Sequence, residues 1–107
     1  MNGVSEAEKN RFNYDLEILQ NNEIKAEDLL NTIDIIKDKI IDISVVSNQE
    51  LKIEVSRNGS DQNVVDKLKE FIQKEKNKTY GLKVEYDNET GLVKYMILTI
   101  LEKNKRQ

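Results

Sequence analysis

A chain of 107 residues has room for one domain with a modest core and not for two. Charged residues make up 35% of it and apolar residues 37%, so a small core beneath heavily solvated helices is expected. The net charge of −3 gives no overall electrostatic case for binding nucleic acid, and the absence of Cys and His excludes disulfides, zinc thiolates, thiol nucleophiles and the commonest general base.

Taken in order, Met1 to Val4 is expected to be loose. Ser5 with Glu8 three residues on forms a capping box, and Phe12, Leu16 and Leu19 then recur at helical spacing. This predicts a polar helix over 5–20 with a narrow apolar stripe, of the kind that leads in from a coiled coil or reaches for a partner. Asn21-Asn22 is expected to break it. Ile24, Leu29, Leu30, Ile33, Ile36 and Ile40 predict a second, better amphipath over 25–39. Glu27 and Asp28 in its first turn and Lys37 and Lys39 in its last suit the helix dipole.

From Ile41 the apolar period becomes two. Ile41, Ile43 and Val45 alternate with Asp42 and Ser44, and Leu51, Ile53 and Val55 alternate with Lys52, Glu54 and Ser56 across a turn at 47–49. This predicts a β-hairpin with one buried face. Ser60 or Asp61 can cap a third helix, whose apolar face holds Val64, Val65, Leu68, Phe71 and Ile72 and which ends near Asn77. Leu82, Val84 and Tyr86 mark a third strand, and Asp87 to Gly91 a hairpin loop. The run from Leu92 to Leu101 is apolar on both faces, so it is expected to be a central strand.

After the first helix the order is α-β-β-α-β-β. An α+β fold is therefore expected: a circularly permuted ferredoxin-like αββαββ sandwich, with a four-stranded antiparallel sheet, two helices on one face and an extra N-terminal helix. The expected divisions are an N-terminal polar helix over 1–22, the sandwich over 23–102 and a basic tail over 103–107, carrying Lys103, Lys105 and Arg106. One face of the sheet should bury Ile43, Val45, Ile53, Val55, Val84 and one side of the last strand. The other should be polar at Lys52, Glu54, Lys83 and Glu85, with an apolar strip down its middle. Two readings of that strip stand open. It is a partner surface, or the N-terminal helix folds back over it. In the partner reading the interface residues are Leu92, Met96, Leu98 and Ile100 of the strand and Phe12 and Leu16 of the helix.

No Gly-x-Ser-x-Gly, Ser-x-x-Lys or Gly-rich phosphate loop occurs. The oxygen ligands of Asp87 to Gly91 lack the spacing of a calcium loop. The lysines at 67, 69, 74, 76 and 78 are interleaved with acids, and no aromatic pair is placed as an RNA platform requires. A non-enzyme is expected, with no catalytic residue, cofactor, metal or small-molecule substrate, and nucleic acid is not an expected partner. Residues 1–20 contain no apolar segment like that of a secretory signal, and no apolar run reaches the length of a membrane span.

The run Leu51-Lys52-Ile53-Glu54-Val55, then Val64-Val65-x-x-Leu68-x-x-Phe71-Ile72, Leu82-Lys83-Val84 and Gly91-Leu92-Val93-x-Tyr95-x-Ile97-x-Thr99 resembles the periplasmic-type domain of PilO/GspM assembly-platform proteins of type IV pili and type II secretion systems. The resemblance covers residues 5–101 as a pattern. It implies a permuted ferredoxin-like domain behind a coiled-coil helix, which residues 5–20 match. It also implies a bacterial scaffold that homodimerises or pairs with a related, PilN-like platform protein. Such a domain is extracytoplasmic and membrane-anchored, through a segment that these 107 residues do not include. The alternative expectation is a small cytosolic regulatory or mobile-element protein that binds another protein or nucleic acid.

Overall fold

A computed structural model describes residues 5–101, so the expected loose start at 1–4 and basic tail at 103–107 lie outside the described residues. The chain runs α1 (Glu6–Glu17), β1 (Asn21–Lys25), α2 (Ala26–Ile36), a 3-10 turn (Lys37–Lys39), β2 (Ile40–Ser47), β3 (Glu50–Val55), α3 (Gln62–Lys74), β4 (Thr79–Tyr86) and β5 (Val93–Leu101). The fold is α+β: three helices and an antiparallel open sheet in the order β1-β4-β5-β3-β2.

Most local signals act as expected, but the second helix stops at Ile36, so Lys37 and Lys39 fall in the 3-10 turn beyond it and not in its last turn. Ser5 accepts from the Glu8 N–H while Glu8 accepts from the Ser5 N–H, which satisfies two free donors at the start of α1. Asp61 caps α3 by accepting from the Asn63 N–H at 3.0 Å. In the β4–β5 loop, Asp87 accepts from the N–H groups of Glu89 and Thr90 at 2.7 and 3.0 Å. Gly91 has a φ of +77°, a conformation that residues with a Cβ rarely adopt. The buried hydroxyl of Thr32 donates to the Asp28 carbonyl one turn back at 3.0 Å.

β5 is central, between β4 and β3. The expected sheet of four strands is corrected to five. Asn21–Lys25 does more than end a helix, because it pairs with β4 through Ile24↔Tyr80 and Lys25↔Thr79 and buries Ile24. Pairing gives the backbone groups of β4 partners that would otherwise have to be water. Where β1 stops short, the Gln20 side chain takes over and accepts from the Val84 N–H at 2.9 Å. The expected division after residue 22 therefore falls inside a strand.

The register decides which side of β5 meets the helices. Met96 lies between Ile53 and Val84, and Leu98 between Leu51 and Leu82. These apolar positions share one face, and Leu29, Ile33 and Ile36 of α2 and Val65, Leu68 and Ile72 of α3 join them in a single buried cluster. Phe12 and Leu16 of α1 belong to the same cluster. The N-terminal helix is thus a third covering helix on the core face and does not fold over the opposite one. Val45, expected inside, is 75% exposed, because it stands on the edge strand beside the hairpin turn, outside the helices' cover.

Candidate interaction surface

The opposite face of the sheet is built from the alternate residues. Along β5 it presents Tyr95, Ile97, Thr99 and Leu101, all partly buried by their neighbours within the sheet and none fully buried. The strand pairing sets charged residues beside them in rows. One row reads Asp42, Glu54, Tyr95, Glu85, and the next reads Ser44, Lys52, Ile97, Lys83. An acidic row thus crosses the sheet directly beside a basic one, and the two flank the aromatic and the aliphatic residue of the same central strand. Within the chain, Lys52 lies 3.7 Å from the Glu54 carboxylate and 4.7 Å from the centre of the Tyr95 ring. The ring's negative face attracts the ammonium, which holds the lysine stem flat over the apolar strip.

The residues expected to form an interface lie elsewhere. Met96 and Leu98 are fully buried in the core, Leu16 likewise, and Phe12 is 7% exposed. Leu92 and Ile100 are partly buried against the same core. Met96, Leu98 and Ile100 all belong to the side of β5 that meets the helices, so none of the three is available on the open sheet face. The accessible apolar residues of the strand are Tyr95, Ile97 and Leu101. The signal that identifies them is the partner sequence, because Lys52, Glu54, Lys83 and Glu85 can share a face only with the solvated side of β5.

Elsewhere the surface offers little chemistry. A groove between α2 and α3 is lined by Ala26, Glu27, Leu30, Gln73 and Lys76. A second depression lies between α1 and the β3–α3 loop, where Arg57 approaches Glu8 at 3.6 Å. Among the described residues no cluster of three or more Asp or Glu side chains could hold a metal ion. The acid–base shifts that do occur have structural causes. Hydrogen bonding to Lys69 holds the Asp34 carboxyl below its usual range. The N–H groups of Thr90 and then Glu89 do the same for Asp87. A hydrogen bond to Glu17 raises Tyr86, and burial raises Tyr80 to about 12. Among the described residues no helix is long and apolar enough to cross a membrane. Comparison with known proteins finds no matching family model, no matching curated protein and no matching solved structure.

Proposed function

We propose that this chain is a non-catalytic interaction domain that works by pairing with another protein through the uncovered face of its sheet. The observation that carries the reading is the strip Tyr95–Ile97–Leu101, which lies on a central strand and faces away from all three helices. A central strand with apolar residues on both sides normally has cover on both, so the second cover is a partner. The part from α2 to β5 is a circularly permuted ferredoxin-like unit, supported by the sheet order β4-β5-β3-β2, and α1 and β1 are additions to it. The resemblance to PilO/GspM assembly-platform proteins supplies the biological setting: a scaffold domain held outside the membrane that pairs with itself or with a related platform protein.

Cell fractionation with an antibody against the domain tests the setting. A larger, membrane-bound species with this domain outside the membrane is expected, and cross-linking in intact cells should join it to a second platform protein. A soluble cytosolic species the size of this chain would sink the platform reading.

A further inference from the structure

We propose that the partner on the open sheet face is a second copy of this chain, docked face to face with its β5 antiparallel to the first. This rests on the interaction reading above and gives it an occupant and an orientation. A two-fold axis that lies between the sheets and runs across the strands at the level of Met96 places each row over its neighbour. Tyr95 then meets Ile97 of the second copy, Glu54 meets Lys52, and Glu85 meets Lys83. By symmetry every one of these contacts occurs twice. The acidic row of one sheet covers the basic row of the other.

The alternative face-to-face symmetry has its axis along β5, and it does the opposite. It sets Glu54 over Glu85 and Lys52 over Lys83, so both rows meet their own sign. The charge pattern therefore selects the antiparallel arrangement by attraction and rejects the other by repulsion. Sheet twist does not upset the match. Aligned sheets cross at about 30°, which moves a residue one strand away from β5 by roughly 2–3 Å relative to its counterpart. That is less than the roughly 6.7 Å between successive rows on one face of a strand.

The sheet edges offer a weaker case for self-association. β1 is short and bulged and carries Asn21, Asn22 and Glu23, which blunts it against pairing. β2 exposes Val45 and Val46, but nothing in its sequence selects one pairing register over another.

The test is sedimentation velocity of the whole chain over a wide concentration range, with circular dichroism as the control for folding. The unmodified chain should associate to a dimer as concentration rises. Lys83→Glu turns two attractive contacts repulsive and should raise the dissociation constant about tenfold or more. The charge exchange Lys83→Glu/Glu85→Lys swaps the signs of the two rows on β4 and leaves each facing its opposite within that strand pair, so it should restore the dimer. A dimer that ignores Lys83→Glu, or that the exchange fails to restore, overturns the proposed face and leaves self-pairing intact. A chain that stays monomeric at every concentration overturns self-pairing itself.

Discussion

The side-chain amide of Asn13 is bonded to β5 as a strand residue would be: Oδ1 accepts from the Val93 N–H at 2.8 Å, and Nδ2 donates to the Gly91 carbonyl two residues earlier at 2.9 Å. Both bonds are partly buried, and they bridge 80 and 78 residues of sequence. α1 is thus fixed to the sheet by a directional contact as well as by its apolar stripe. Asn13→Ala leaves one donor and one acceptor without their partner, and a loss of about 1–2 kcal/mol in urea unfolding is expected. Asn13→Asp keeps the acceptor and loses the donor, so it should fall between the two. Equal stability of all three proteins would show that water replaces the amide freely.

Leu16 and Leu98 separate an interior role from an interface role. Both are fully buried within one chain. Leu16→Ala should cost about 2–5 kcal/mol and lower the single unfolding midpoint of the whole domain, because the helix shares the common core. Leu98→Asp places a charge between Leu51 and Leu82, and the expected product is an unfolded chain, not a folded monomer. A well-folded Leu98→Asp protein with altered association would return Leu98 to the interface.

The alternation in β2, β3 and β4 made those strands legible in the sequence, and the double-sided apolar run of β5 made its central place legible too. The face was not, and the reason lies in β5 itself. Met96, Leu98 and Ile100 on one side look like Tyr95, Ile97 and Leu101 on the other. Only the register with Ile53 and Val84 distinguishes them, and a slip of one residue exchanges the two sides. β1 escaped for a different reason. Asn21-Asn22-Glu23-Ile24-Lys25 has one apolar residue and poor strand formers, so its conformation comes from pairing with β4 and not from its own preference. α1 resembled a free arm because its stripe is narrow. Phe12 and Leu16 are nevertheless enough to seat it once Asn13 sets its position.

Tyr80 should give the domain an alkaline limit. Its side chain is fully buried and its hydroxyl donates to the Glu75 carbonyl at 2.9 Å. Burial first, and the charge of Glu75 second, push its pKa from 10.0 up to about 12. The unfolded chain releases this proton at its ordinary value while the folded chain holds it. The stability contribution is therefore complete below about pH 10 and falls as pH rises toward about 12. Tyr86 acts in the same direction through its bond to Glu17. Absorbance titration near 295 nm should show a late-ionising tyrosine, and Tyr80→Phe should remove it. The same variant should flatten the fall in stability across that window and cost about 1 kcal/mol at neutral pH. An unchanged alkaline slope in Tyr80→Phe would place the limit elsewhere.

Asp34 and Lys69 join α2 to α3 across the outer side of the helical layer, with 2.6 Å between Nζ and Oδ1. The hydrogen bond from Lys69 lowers the Asp34 pKa from 3.8, opposed by a smaller desolvation effect. A depressed carboxylate adds stability above its unfolded pKa and loses it as pH falls through the folded value, so this pair favours the fold at neutral pH and weakens in acid. Both side chains remain accessible to water, so the contribution is modest and screened by salt. In Lys69→Met the Asp34 carboxyl should titrate higher by NMR, because the largest cause of its lowering is gone while the smaller effects of desolvation and Lys37 remain. The melting temperature should fall slightly at low salt and match the unmodified chain near 1 M salt, after allowance for the added methionine surface. If the Asp34 titration does not move when Lys69 is removed, the two helices are held by Leu29, Ile33, Leu68 and Ile72 alone.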